Sequence, residues 1–294
     1  MKASANGDTV RATVAFGSNI EPRAEYIARA LAAVEAFPQT VLSAASPVEE
    51  TEPDGVPDEF SEMKFLNRVA IFETSLSADE FSRRMHEAED RLGRIRTGVR
   101  NSPRTIDIDL IDFGGIRRCS EELTLPHPRA MSRDFVRRPW MELEKLLIRR
   151  EMRARRKAVS PEERRTRSHE LCEKLKRLLD GVAHVCLYRA LENELDLAEF
   201  EDFCRSRGID VVIPEKQGDS YTVRGAEDVD LWICPGLAFT PDGDRIGFGG
   251  GWYDRFLSKA KPAARAYGVA YAFQLHDRLP QGEWDMKLTG IVTV

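Results

Sequence analysis

Apolar and polar positions in the first half of the chain repeat in two different periods. Thr9–Phe16 predicts a strand that ends in the turn Gly17-Ser18-Asn19. Pro22–Phe37 predicts a helix, with Pro22 in its first turn and Ile27, Leu31 and Val34 along one face. Asn67–Thr74 predicts a second strand, and Ser77-x-x-Glu80 is a capping box opening a helix to about Gly93. Val48–Lys64, acidic and holding Pro53 and Pro57, predicts a mobile loop. The polar loop Arg94–Pro103 leads into Arg104-Thr-Ile-Asp-Ile-Asp-Leu110. Alternate residues of an extended strand share a face, so Ile106, Ile108 and Leu110 form one side and Asp107 and Asp109 the other.

In the second half, a basic helix is expected from Pro139 to about Val159, and Ser160-Pro161-Glu162-Glu163 caps a second helix. Apolar runs at Ala183–Leu187, Ile209–Ile213 and Val229–Cys234 then alternate with helical stretches, a βαβ rhythm that predicts a parallel sheet. The pattern changes near Glu142–Glu144, which divides the chain into domains 1–143 and 144–294. No Gly/Ser linker lies there, so the domains are expected to abut.

The length of 294 residues suits two ordinary domains. A net charge of −5 argues against bulk nucleic-acid affinity, yet Glu144–Arg177 holds 13 Lys/Arg against 6 Asp/Glu and needs its own explanation. No apolar run has the length of a membrane span, and the start MKASANGDTV lacks a signal-peptide core, so a cytoplasmic location is expected. The five cysteines show no CxxC spacing and read as reduced thiols. Asp107 and Asp109 read differently. Two neighbouring carboxylates repel unless a cation lies between them, and hard oxygen ligands suit Mg²⁺ on substrate phosphates. Arg104 is placed to meet remaining phosphate charge.

Taken alone, Asp-x-Asp on a strand is more often a solvated face than a metal site, and a lone His127 beside prolines is most often structural. Five pieces in one order change that weighting: Gly17-Ser18-Asn19, Phe65-Leu66-Asn67, Leu92-Gly93-Arg94-Ile95-Arg96, Pro103–Leu110, and Leu125-Pro-His127-Pro-Arg129 with Arg133 and Phe135. Together they resemble 6-hydroxymethyl-7,8-dihydropterin pyrophosphokinase over roughly residues 9–143. The resemblance implies a ferredoxin-like α+β fold and transfer of diphosphate from ATP to the pterin alcohol. It further implies two Mg²⁺ on Asp107 and Asp109, phosphate contacts from Arg94 and Arg104, and a triphosphate lining of His127 and Arg133. Phe65 and Phe135 match the aromatic pair that sandwiches the pterin, Asn67 matches a polar contact to its edge, and Thr51 is a second such contact. The loop Thr97–Ser102, carrying Arg100 between Arg96 and Arg104, matches a lid. It has Asn101 where a Trp often closes over the pterin and Ser102 where Gly is common.

A second string, Pro235-Gly-Leu-Ala-Phe239 with Gly243-Asp-Arg245-Ile-Gly247-Phe-Gly249-Gly250-Gly251-Trp252-Tyr253-Asp254-Arg255, puts a glycine-rich loop before a helix. Such loops expose backbone N–H groups to phosphate, although a lone glycine cluster is ordinarily a tight turn. The longer string resembles the nucleotide loop of 5-formyltetrahydrofolate cyclo-ligase. That family implies a three-layer α/β fold and a second ATP site at Lys145, Arg149, Arg245, Gly247, Gly249, Gly250, Gly251, Trp252 and Tyr253. It places Mg²⁺ at Asp254, and folate at Tyr188 and Glu194, with Gln274 near a family Gln. The implied reaction uses ATP to activate the formyl oxygen of 5-formyltetrahydrofolate, and closure by N10 gives 5,10-methenyltetrahydrofolate. Three departures stand out: a short stretch between Pro214 and Pro235, Thr289 where an Asp usually supports Mg²⁺, and Val294 where Glu is common.

The combined expectation is a bifunctional folate enzyme. One rival keeps the kinase and makes the second half a degenerate nucleotide-binding or oligomerisation module. A remoter rival, an RNA-binding protein, predicts an RNP1-like aromatic pattern that the sequence lacks. The sequence sets no oligomeric state.

Overall fold

Val10–Ser18 (β1) continues through Gly17 and Ser18 instead of turning there. The computed structural model describes residues 9–54, 56–96, 102–120, 122–191, 193–218 and 220–294. The chain divides into two compact units, Met1–Glu144 and Lys145–Val294.

The first unit continues through Arg23–Glu35 (α1), Thr40–Ala45 (β2), Glu49–Thr51 (β3), Phe65–Thr74 (β4), Ala78–Arg91 (α2) and Asp107–Phe113 (β5). A small hairpin, Arg118–Cys119 (β6) with Thr124–Leu125 (β7), follows. The main sheet has the order β2-β4-β1-β5, with β3 also on β4, and every pairing is antiparallel. Ser77 Oγ accepts the Glu80 N–H at 3.2 Å, so α2 begins at the expected cap. Ala12, Val14 and Phe16 of β1, Ile108 and Leu110 of β5, and Ile27, Phe81 and Met85 of the helices share one core. Asp107, Asp109, Ala15 and Gly17 line the opposite side of the sheet. The expected loop 48–64 is partly ordered into β3, whose Thr51 pairs with Phe65.

Asp134–Ala158 (α3) starts before Pro139 and contains it. Pro139 lies in the second turn, where it has no N–H to give the Phe135 carbonyl and crowds it, yet the helix runs on through it. The chain passes into the second unit within this helix. Pro161–Leu175 (α4) follows, capped by Ser160 Oγ on the Glu163 N–H at 3.1 Å. Then come His184–Cys186 (β8), Ala198–Ser206 (α5), Asp210–Val212 (β9), the pair Glu215–Gln217 (β10) and Ser220–Thr222 (β11), and Leu231–Cys234 (β12). Ala238–Phe239 (β13), Arg245–Ile246 (β14), Trp252–Leu257 (α6), Arg265–Ala270 (β15) and Gly290–Thr293 (β16) complete the unit. Strands β16-β15-β12-β8-β9 form a parallel sheet, as the apolar runs predict. Leu231 and Ile233 enter an apolar cluster with α4 and α5, while Trp232 and Cys234 enter another with Phe256 and Leu257 of α6. Both faces of this sheet are therefore covered, which parallel sheets require.

Candidate functional sites

In the first unit the strand register brings the chemistry together. Gly17 pairs with Asn67 on one side and Asp107 on the other, and Ala15 pairs with Asp109. A Cβ at Gly17 would meet Asn67 Oδ1 at 3.1 Å, so glycine lets the Asn67 amide lie across the strand. Asn67 Nδ2 donates to Thr51 Oγ1 at 2.7 Å, leaving the Thr51 O–H and Asn67 Oδ1 side by side. Around them opens a cleft of about 630 Å³, continuous with solvent, lined among others by Thr51, Phe65, Asn67, Arg104, Asp107, Asp109, His127, Arg133 and Phe135. Phe65 lies under the Arg104 guanidinium at 5.2 Å, and Phe135 under that of Arg133 at 5.6 Å.

Asp107 pairs with Arg94 and, at 2.9 Å, with Arg104. Asp109 has no ion pair among the described residues. Burial first, then Asp107 and Glu89, push its carboxyl up to about 7. Glu89, missed by the sequence reading, is the hidden support. It is buried, accepts the Ile108 N–H at 2.8 Å and pairs with Arg94 and Arg96. A Glu four residues after the core residue Met85 was the available signal. Arg94 is thus held between Glu89 and Asp107 rather than among the residues lining the cleft. His127 Nδ1 accepts the Arg129 N–H at 3.3 Å, which assigns the proton to Nε2. Burial, then Arg133 and Arg129, lower its pKa and keep the ring neutral. Arg100 and Asn101 of the expected lid lie outside the described residues.

In the second unit the cations of α3 reach the glycine loop. Arg149 Nε donates to Gly247 O at 3.0 Å, and its guanidinium carbon lies 3.9 Å from where a Cβ of Gly249 would stand; that residue has φ +110°. Arg245 donates to Asp254 at 3.0 Å and to Pro235 O at 3.2 Å, and its guanidinium lies 5.4 Å from the Tyr253 ring. Trp252 packs edge-on against Tyr221. Lys145 is buried on Asp285 at 2.7 Å. Asp285 was absent from the sequence reading. It adjoins Met286, whose N–H reaches Asp254 at 3.2 Å. Thr289, where an Asp was expected, instead accepts the Ala266 N–H at 2.9 Å within the sheet. Gly250 and Gly251 complete the turn into α6.

A separate pocket, open to solvent and with about 200 Å³ of space counting its mouth, is lined by Arg156, Tyr188, Glu194 and Gln274 among others. Arg156 and Glu194 pair at 3.4 Å and are both buried. Burial raises the Glu194 pKa, opposed by the Leu191 N–H and Arg156. Gln274 is committed to structure, donating to Gly236 O and Leu237 O and accepting the Tyr271 N–H.

This geometry gives a cleft lined by arginines, carboxylates and aromatic rings on an antiparallel sheet, joined in sequence to a glycine-loop α/β unit. Residues 13–145 match the model of the 7,8-dihydro-6-hydroxymethylpterin-pyrophosphokinase family. The 2-amino-4-hydroxy-6-hydroxymethyldihydropteridine pyrophosphokinase of Bacillus subtilis is 36% identical over 132 residues, 45% of this chain and 77% of its own length. Through its first unit the chain belongs to that family. Residues 215–294 match the model of the 5-formyltetrahydrofolate cyclo-ligase family. The 5-formyltetrahydrofolate cyclo-ligase of Mycoplasma pneumoniae is 26% identical over 162 residues, 51% of this chain and 98% of its own length. The solved structure of a 5,10-methenyltetrahydrofolate synthetase from Mycoplasma pneumoniae covers 50% of this chain and 97% of its own, at 27% identity and a TM-score of 0.46.

Proposed function

We propose that the chain is a two-domain folate-pathway enzyme. Domain 1–143 transfers diphosphate from ATP to 6-hydroxymethyl-7,8-dihydropterin. Domain 144–294 uses ATP to convert 5-formyltetrahydrofolate to 5,10-methenyltetrahydrofolate. The observation that carries the first assignment is the convergence of Phe65, Phe135, Asn67, Thr51, Asp107 and Asp109 on one cleft in a unit that belongs to the pyrophosphokinase family. The alignment over 98% of a cyclo-ligase relative favours a second enzyme over a degenerate module. The strand order β2-β4-β1-β5 with both helices in one core supports a ferredoxin-like class for the first domain. The two-sided core of the parallel sheet supports a three-layer class for the second.

In the first domain the pterin ring enters between Phe65 and Phe135, displacing the guanidinium groups that cover them, and its polar edge meets Asn67 and Thr51. Arg104, Arg133 and the His127 Nε2–H then face the triphosphate. The hydroxymethyl oxygen attacks the β-phosphorus, the bond from that phosphorus to the α–β bridging oxygen breaks, and AMP leaves. Asp107 and Asp109 fit Mg²⁺: both offer hard oxygens, and the raised pKa of Asp109 marks a carboxylate short of positive charge. No cluster of three or more potential ligands occurs among the described residues, so water and phosphate oxygens would complete the shell. When bound, Mg²⁺ supplies neutralisation of the phosphate charge.

In the second domain Arg149 and the loop Gly247–Gly251 take the triphosphate, and Asp254 with Asp285 is the pair suited to Mg²⁺. The formyl oxygen takes the γ-phosphate, N10 attacks the activated formyl carbon, and phosphate leaves. No described helix is long and apolar enough to cross a membrane, and a cytoplasmic site of action is part of the proposal. Separate assays with each folate substrate test the reading. AMP is expected with the pterin, and ADP with methenyl absorbance is expected with 5-formyltetrahydrofolate. Failure to form AMP overturns the first assignment, and absence of methenyl product overturns the second.

A further inference from the structure

The solvent-open pocket of the second unit holds more polar groups than its own structure uses. The Tyr188 hydroxyl donates to Leu195 O at 2.7 Å. Gln274 spends both ends of its amide on backbone groups. Arg156 Nε donates to Asn193 O at 3.1 Å. Two lining groups remain: the Tyr271 hydroxyl has no hydrogen-bond partner among the described residues, and Glu194 Oε1 has only the long 3.4 Å ion pair with Arg156. Tyr271 is 3% exposed and Glu194 5%. A buried hydroxyl left unpaired is destabilising, and beside a carboxylate oxygen with acceptor capacity to spare it points to a missing partner.

The Tyr271 ring is held in place. It stacks on Phe273 with centroids 5.2 Å apart and planes 5° from parallel, and Arg155 lies 4.7 Å over the Phe273 ring. Its backbone N–H is fixed by Gln274. Burial raises the phenol pKa, so the hydroxyl keeps its proton.

We propose that Tyr271 is a specificity-determining residue of the second site, its hydroxyl donating to the ring carbonyl of a reduced pteridine whose adjacent ring N–H meets Glu194 Oε1. A carbonyl beside an N–H is the complement of a donor beside an acceptor, and few metabolites other than lactam-edged heterocycles present it. The cavity takes the head of such a substrate and leaves its tail in solvent. A ring N–H arriving at Oε1 also favours the carboxylate form that burial opposes. This inference rests on the cyclo-ligase reading of the second unit.

Tyr271→Phe removes one oxygen and keeps the ring and its stacking. Calorimetric titration of the full chain with 5-formyltetrahydrofolate, in the presence of Mg²⁺ and a non-hydrolysable ATP analogue, is expected to show affinity weakened roughly tenfold. The KM for the folate in the methenyl absorbance assay should rise in step, with the KM for ATP unchanged and the ligand-free melting temperature not lowered. Equal affinity and KM in variant and parent would overturn the role of Tyr271 while the cyclo-ligase reading stands. A parent protein that binds 5-formyltetrahydrofolate but forms no methenyl product sinks the cyclo-ligase reading, and the affinity comparison still decides Tyr271. A parent that does not bind it at all overturns both.

Discussion

In the first unit Asp109 lies beside Asp107 and Glu89 with no cation of its own among the described residues, and its carboxyl is pushed up to about 7. Around the glycine loop and cavity of the second unit the cations come with carboxylates: Lys145 with Asp285, Arg245 with Asp254, Arg156 with Glu194. The physical consequences differ. An unmatched, half-buried carboxylate stores instability that an arriving cation would relieve, and on the proposed reading that cation is the metal. Matched pairs are close to neutral in the free protein, so no comparable store of instability is built into the second unit's pairs.

The sharpest way to break the comparison is Asp109→Asn. Loss of one Mg²⁺ oxygen is expected to lower diphosphoryl transfer by about 10²–10³ at saturating substrates, as removal of a preorganised electrostatic partner does. Relief of repulsion should at the same time raise the metal-free melting temperature, while Mg²⁺ should stabilise the parent more than the variant. Activity near that of the parent, or a lower metal-free melting temperature, would mean that Asp109 is not the unmatched charge.

Much of this contrast was legible in the sequence where it depends on local periodicity. Strand alternation put Asp107 and Asp109 opposite Ile106, Ile108 and Leu110, which enter the core, and the Ser77 and Ser160 caps are set by residues three apart. What escaped depends on distant partners. Gly17-Ser18 looks like a turn, yet Gly17 is there for the Asn67 amide approaching from β4. β3 is polar and short, and it is a strand only through its register with Phe65–Asn67. The charged partners were readable one at a time but not as pairs. Lys145 and Asp285 stand 140 residues apart, and no local pattern ties them. Thr289 drew attention as a substituted position, whereas the chain that reaches Asp254 is at Asp285–Met286.

Lys145→Met tests the matched side. It leaves Asp285 without its partner in a site where the lysine is buried, and is expected to lower stability by about 3 kcal/mol, the low end for breaking such a pair because Asp285 is partly exposed. Lys145→Met with Asp285→Asn should recover most of that loss, a coupling that chemical denaturation of the four proteins measures. Additive losses would show that the two groups act separately.

Phe135→Ala sharpens the first site from its apolar side. Lost stacking and apolar contact should weaken pterin binding by about 2 kcal/mol. ATP affinity should change little, because the Arg133 guanidinium keeps its charge when the ring beneath it is removed. Calorimetry that finds ATP binding lost and pterin binding intact would make Phe135 a support for Arg133 and not a wall of the pterin slot.

The smallest effect is expected at Asp230, a matched carboxylate away from either ligand site. Its Oδ2 accepts the Ala183 and His184 N–H groups at 2.8 Å each, and Oδ1 pairs with Lys261 at 2.5 Å, tying the start of β8 to the segment before β15. Burial pushes this carboxyl up, but Lys261 and the two amides outweigh it and bring it to about 2. Because the folded value lies below the ordinary 3.8, its stabilisation is fully present above about pH 4 and is lost as pH falls toward about 2. Asp230→Asn keeps one acceptor oxygen and should lower stability by about 1 kcal/mol at pH 7, with the difference from the parent closing by about pH 2. The sign is opposite to that expected for Asp109→Asn, where removing the charge should stabilise the free protein. A gap of equal size at both pH values would show that Asp230 acts through shape and not through charge. The contrast between matched and unmatched carboxylates would then rest on the ligand sites alone.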